Sequence, residues 1–193
     1  MPGRKSLLRI IAEPILVACV LAMTVRAVAR IYSVPSASMA PTLRPGDHIV
    51  VTRYISDRPG RGDVVVFRHP AGRELTVKRV VAVPGDLIES HEGHLRISGR
   101  PLSEPYAPEH AAMRIAPQLV PAGHLFVLGD NRSDSYDSRH WGPLPDKLVV
   151  GRARMVLWSS APSRSGDIVR ADAVSDRPIE ERVRFARIFK WIE

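Results

Sequence analysis

The stretch Val34-Pro35-Ser36-Ala37-Ser38-Met39-Ala40-Pro41-Thr42-Leu43 marks the change from a hydrophobic N-terminal segment to a chain of short strands and turns. Pro35 and Pro41 bracket it and fix the backbone on either side of Ser38. Ahead of it, Pro14 to Val25 are uncharged and mostly apolar, behind a basic start that carries Arg4, Lys5, Arg9 and the acid Glu13. That run alone is too short for about 30 Å of hydrocarbon, which needs roughly twenty residues. Extended through Arg26 and Arg30 to Tyr32 it gains length, because the two arginines share one helical face where their stems can snorkel. Two readings fit. One is a cleavable signal peptide with Ala27-Val28-Ala29 at the cut. The other is an uncleaved transmembrane anchor over residues 14–32. Arg26, just ahead of Ala27, favours the anchor, and the basic residues 1–13 favour a cytoplasmic N-terminus with the remainder outside.

Beyond the serine stretch the chain alternates between β-branched runs and turns. Strands are expected at Asp47–Arg53, Val64–Phe67, Glu74–Val83, His94–Ile97, Leu125–Leu128 and Val149–Trp158. Turns fall at Gly60-Arg61-Gly62-Asp63, Ser98-Gly99-Arg100-Pro101 and Pro121-Ala122-Gly123, and the proline-rich stretch from Pro101 to Pro121 reads as a loop. Seventeen prolines and thirteen glycines in 193 residues argue against a long-helix architecture. The expectation is a mainly β, antiparallel domain over 33–158, followed at 159–193 by a linker and an amphipathic helix. In that helix, between Pro178 and Ile192, the residues Phe185, Ile188, Phe189 and Ile192 share a face. It either packs on the domain or lies at a membrane interface with Trp191 near the headgroups.

Composition narrows the partners. The formal charge of +8 admits nucleic acid or an anionic membrane, but it is scattered and largely arginine, so no nucleic-acid partner is expected. The single Cys19 excludes an intramolecular disulfide. The seven histidines are dispersed, without metal-ligand spacing, and neither a metal nor a cofactor is expected.

A serine hydroxyl needs a neighbouring base before it attacks a carbonyl. With the histidines scattered, lysine is the remaining base. Lys78 lies in Val77-Lys78-Arg79-Val80-Val81-Ala82-Val83-Pro84-Gly85-Asp86, where burial among valines would lower its pKa toward a working value. In a strand, Lys78 and Val80 face one side, while Val77, Arg79 and Val81 face the other; a lysine on a solvated strand face is the alternative. Ser36 places a second hydroxyl beside the Ser38 amide, a pair able to receive an oxyanion. A third block, Gly129-Asp130-Asn131-Arg132-Ser133-Asp134-Ser135-Tyr136-Asp137-Ser138-Arg139-His140-Trp141-Gly142, is dense in polar groups. Asp130, Asp137, Arg132 and Arg139 suggest a buried ion-pair scaffold, with a polar surface loop as the alternative.

Taken together, these blocks resemble the type I signal peptidases, membrane-anchored serine proteases that remove signal peptides from exported proteins. Ser36 to Leu43 meets the family's Ser-x-Ser-Met-x-Pro-Thr-Leu motif. Arg61 to Phe67 meets Arg-Gly-Asp-Val-Val-Val-Phe, and Lys78 to Asp86 meets Lys-Arg-Val ahead of Pro-Gly-Asp. Gly129 to Gly142 meets Gly-Asp-Asn-Arg ending in Asp-Ser-Arg and Trp-Gly. The resemblance implies Ser38 as acylating nucleophile, Lys78 as general base, Ser36 as side-chain oxyanion donor and Ser135 as the residue that orients the lysine. It implies support of the site by Asp137 and Arg139, with Asp130 and Arg132 beside them. Tyr32, Val34 and Val77 would line shallow pockets for alanine at the first and third positions before the cut. It further implies exported preproteins as substrates, a phospholipid membrane as partner, and a single pass through a bacterial inner membrane with the catalytic domain on the outer side. A monomer is expected, although nothing in the sequence sets the oligomeric state. Two departures stand out: Ser133-Asp134 where Asp-Asn is usual, and Ala37 in place of a frequent glycine. A Ser/Lys peptidase dedicated to pilin or conjugation proteins is a rival reading. A self-cleaving transcriptional repressor is another, although an apolar segment stands where its helix-turn-helix would be.

Overall fold

Val64-Val65-Val66-Phe67 is buried at every position, and the sheet is built around it. A computed structural model of the chain describes residues 4–107, 113–160 and 187–192. Helix α1 (Arg4–Val28) leads into strands β1 (Ala29–Ser33), β2 (Asp47–Thr52), β3 (Val64–Arg68) and β4 (Leu75–Ala82). Next come β5 (Leu87–His91), β6 (His94–Ile97), β7 (Arg100–Pro101), β8 (Gln118–Leu119) and β9 (His124–Leu128). The short helix α2 (Ser138–Trp141), β10 (Leu144–Pro145), β11 (Val149–Ser159) and β12 (Lys190–Trp191) complete the order. The chain divides into two units, Met1–Arg30 and Ile31–Glu193.

The larger sheet runs β1-β2-β11-β3-β4-β9-β10, with β12 added on β11, and a smaller one runs β7-β6-β5-β8. The pairings that join β3, β4, β9 and β11 are antiparallel. Side chains alternate across a strand, and β3 shows both faces at work. Val64 and Val66 enter a cluster with Val34, Met39, Leu43 and Ile49. Val65 and Phe67 enter another, with Val80, Val127 and Leu144. In the register of β3 with β4, Lys78 stands opposite Val65 and Val77 opposite Val66, so Lys78 is carried by a strand buried on both faces. A third cluster, including Val81, Phe126, Ile88 and Leu95, joins residues of the two sheets.

The β expectation for the domain agrees with this architecture, but the N-terminal span and the last residues of the expected C-terminal helix need correction. The transmembrane anchor over 14–32 is not supported: among the described residues, no helix is long and apolar enough to cross a membrane. Helix α1 starts at Arg4 and stops at Val28, and the last residues of the expected span, from Ala29, are strand β1. Within α1, Glu13 and Arg26 bound the uncharged run from Pro14 to Val25, which at 1.5 Å per residue covers about 18 Å of a core about 30 Å thick. Carrying the span through Arg26 and Arg30 overreached, and the single-pass inner-membrane topology goes with it.

At the other end, the described residues Arg187 to Ile192 form a short 3-10 turn and then β12, not an amphipathic helix. Met155 pairs with Trp191 and Val156 with Lys190, antiparallel. Ile192, just past β12, is buried, while Lys190 and Trp191 are both exposed and Phe189, whose φ is +54°, also faces out. The helical face shared by Phe189 and Ile192 therefore does not form. Pro178 and Phe185 lie outside the described residues.

Candidate active site

Ser38 is placed by the turns that follow Pro35. The Ala40 amide donates to the Ala37 carbonyl at 2.9 Å and the Leu43 amide to the Met39 carbonyl at 2.8 Å. Met39 and Leu43, both wholly buried, nail this turn to the core. Ser38 itself is buried, and its neighbour across the fold is Lys78, whose side chain is 3% exposed. Lys78 Nζ donates to Ser38 Oγ at 2.5 Å, and Ser36 Oγ lies 3.2 Å from the same oxygen. Burial disfavours the charged ammonium, the nearby Asp137 carboxylate pulls the other way, and the balance leaves the Lys78 pKa lowered to about 8. Roughly a tenth of the lysine is then neutral at pH 7, against less than a thousandth for an ordinary one.

The Gly129–Gly142 block folds beneath this pair. Asp137 caps α2 and is fully buried. It accepts from Arg139 Nε at 2.8 Å, Ser135 Oγ at 2.7 Å and the Gly129 amide at 3.1 Å. Burial works to raise the Asp137 pKa, but these bonds overcome it and hold the carboxyl below its ordinary value. The Ser135 hydroxyl proton is thus directed at Asp137. Arg139 also ties the loop together by donating to the Arg132 carbonyl at 2.9 Å and the Ser135 carbonyl at 3.1 Å.

Asp130 and Arg132 are buried ion-pair members, but their partners come from outside the block. Asp130 receives a two-pronged contact from Arg79, both distances 2.9 Å. Arg79 also donates to the Gly62 carbonyl and stacks its guanidinium 3.9 Å from the Tyr106 ring centre. Arg132 donates to the Gly129 carbonyl at 2.8 Å and meets Glu104 at 2.5 Å. Sequence reasoning missed Arg79 and Glu104 as site supports. A charged residue in the middle of a valine-rich strand was itself a signal, since buried arginines need acids; nothing in the loop around Glu104 marked it. The substitution Arg79→Met leaves Asp130 buried without its partner. The expected cost is about 3–5 kcal/mol of folding stability, read by urea denaturation; a loss under about 1 kcal/mol would show that Asp130 does not depend on the pair.

Two connected hollows flank the serine. The first, of about 230 Å³, is lined by Tyr32, Val34 and Val77 together with Ser36, Ile49 and Val66. The second, of about 460 Å³, holds Ser38 and Lys78 and is walled by His69, Asp134 and Tyr136. Ser36, Glu74 and Thr76 line both, so the two form one groove. His69 and Tyr136, whose rings stack at 6.1 Å, were not anticipated as groove residues. The polar neighbour Asp134, one of the two motif departures, faces this groove. Among the described residues, no group of three or more His, Cys, Asp or Glu side chains is arranged to hold a metal.

Comparisons with known proteins bear on the same residues. The model of the signal peptidase family, peptidase S26, matches residues 7–158, which includes all three blocks. Signal peptidase I of Leptolyngbya laminosa is 38% identical over 150 residues, covering 72% of this chain and 74% of that one. Probable signal peptidase I-1 of Synechocystis is 40% identical over 150 residues, covering 72% and 76%. Probable thylakoidal processing peptidase 2 of Arabidopsis thaliana is 36% identical over 155 residues, covering 75% of this chain and 42% of that protein, so the chain spans less than half of the plant relative. The chain belongs to the S26 signal peptidases, a family of serine endopeptidases that work with a Ser/Lys pair.

Proposed function

We propose that the chain is a signal-peptidase-type serine endopeptidase that cuts exported preproteins after small residues in an Ala-x-Ala pattern. Family membership implies preproteins as substrates and association with a membrane; the cleavage rule and the residue roles below are the finer reading. The observation that carries it is the bond between buried Lys78 Nζ and Ser38 Oγ.

When Lys78 is neutral, its lone pair takes the Ser38 proton as Oγ attacks the scissile carbonyl carbon. The new C–O bond pushes the carbonyl electrons onto oxygen, and the Ser36 hydroxyl and the Ser38 amide donate to it. Collapse breaks the C–N bond, and Lys78 returns the proton to the departing amine. Lys78 then deprotonates a water, which attacks the acyl ester and frees Ser38. Ser135 is assigned the orienting role: its proton is committed to Asp137, which leaves its oxygen able to accept from Lys78, whose hydrogen bond in this structure goes to Ser38. Asp137, Arg139, Asp130 and Arg132 hold that arrangement without reacting. Tyr32, Val34 and Val77 form the small pockets ahead of the cut and select by excluding volume.

Two tests follow in solution. Cleavage kcat/KM rises with pH through about 8, because the base must be neutral and its pKa is lowered from that of an ordinary lysine. A profile flat from about pH 6 to 9 would remove Lys78 from the role. In peptides, replacing the alanine directly before the cut by leucine lowers kcat/KM about a hundredfold. Equal cleavage of both peptides would contradict the proposed pockets.

A further inference from the structure

The C-terminal return lies beyond residues 7–158, the part matched by the family model, yet it reaches the serine turn. Arg187 is 8% exposed. Its Nε donates to both Asp47 oxygens, at 3.0 and 3.2 Å, and its Nη2 bonds Asp47 Oδ2 as well. The same Nη2 donates to the Thr42 carbonyl at 2.9 Å. Asp47 Oδ2 also accepts the Arg44 amide at 2.9 Å. Thr42 is held at its other end too, since its hydroxyl accepts from Arg79 Nη2 at 3.4 Å. Close by, Ile192 packs in the cluster that contains Met39 and Leu43, the two side chains that anchor the turn.

We infer that Arg187 is a positioning residue for the reaction, clamping the turn that carries Ser38 through Thr42 and Asp47. This rests on Ser38 and Lys78 being the reacting pair. The turn is a loop without sheet hydrogen bonds of its own, so its placement depends on such contacts. Thr42 is four residues from Ser38. A shift of about 1 Å in a reacting group costs about a hundredfold in rate, so a clamp at this range acts on turnover. The planar guanidinium reaches a carboxylate and a carbonyl at once, a geometry that lysine does not reproduce.

The test compares Arg187→Ala, Arg187→Lys, Asp47→Asn and the Arg187→Ala/Asp47→Asn double variant on an Ala-x-Ala peptide. kcat and KM are measured below each variant's Tm, and Ile97→Ala, in the cluster under the small sheet, serves as a control for lost stability alone. Arg187→Ala is expected to lower kcat about tenfold with KM within about twofold. Arg187→Lys should recover only part of that, and the double variant should be no worse than either single one, as for residues acting through one contact. Should Arg187→Ala fail to fold, Arg187→Lys decides: a lowered kcat at unchanged KM supports the clamp. A wild-type kcat in folded Arg187→Ala or Arg187→Lys overturns it, as does a kcat loss no larger than that of Ile97→Ala. Cleavage surviving in Ser38→Ala would instead overturn the Ser/Lys reading itself, so the two failures are distinguishable.

Discussion

Lys78→Met lowers kcat/KM by about 10³- to 10⁴-fold while leaving the folded protein at least as heat-stable as the wild type near pH 7. General base catalysis contributes about 10²–10⁴, and in the proposed mechanism Lys78 also returns the proton to the leaving amine, so losing it would remove both transfers. Methionine is close in length and apolar, and it suits a site 3% exposed between valines. The stability half of the expectation follows from linkage. The Lys78 pKa falls from 10.5 to about 8 on folding, so between those values the unfolded chain binds more protons and stability rises with pH. Near pH 7 the folded state still carries the full cost of that depressed ammonium, and the apolar methionine escapes it. Peptide kinetics and a thermal melt on one preparation check both halves. A Lys78→Met variant that cleaves within about tenfold of wild type would show that the proton goes elsewhere.

Gly129→Ala is expected to lower kcat by at least about a hundredfold and to destabilise the fold by about 1–3 kcal/mol. A Cβ at Gly129 would stand 2.3 Å from Ser135 Oγ, 2.4 Å from the Ser38 carbonyl oxygen and 2.6 Å from Ser135 Cβ. None of these atoms is free to retreat. Ser135 Oγ is bonded to Asp137, and the Ser38 carbonyl accepts the Asn131 amide at 3.1 Å. The intruding methyl therefore pushes the Ser38 backbone or the Ser135 side chain. Gly72→Ala is the matched control, because its nearest neighbour is the Glu74 amide at an ordinary 3.9 Å. Equal kinetics for the two variants would show that the close packing at Gly129 does not matter to the reaction.

The parts legible in sequence were those that depend on near neighbours. The strands β2, β3, β4 and β9 follow from β-branched runs between turns, and the alternation in β4 placed Lys78 opposite Arg79 across the sheet. That Ser38 meets Lys78 could not come from local pattern, because the two are forty residues apart; the motif resemblance supplied the pairing. Asp130 and Arg132 are expected in an ion-pair scaffold within the Gly129–Gly142 block, but they pair with Arg79 and Glu104 from outside it, since partner choice is set by how loops return over the sheet. Strand β5 escaped notice because Leu87-Ile88-Glu89-Ser90-His91 owes its state to pairing with β6 and β8. At the C-terminus, Phe189 and Ile192 fit a helical period, but the pairing of Lys190 and Trp191 with β11 makes a short strand between them instead. At the N-terminus, charge decided against the expected span. The helix formed, but without an apolar run long enough to cross a membrane.

The central claim is that Ser38 cuts a peptide bond after a small residue with Lys78 as its base. It is tested most directly by incubating wild type and Ser38→Ala with one precursor bearing an Ala-x-Ala site and weighing the products. The expected result is a single cut directly after the second alanine with wild type and no cut above the uncatalysed rate with Ser38→Ala. Cleavage at the same bond by Ser38→Ala, or a wild-type cut elsewhere in the precursor, would contradict it.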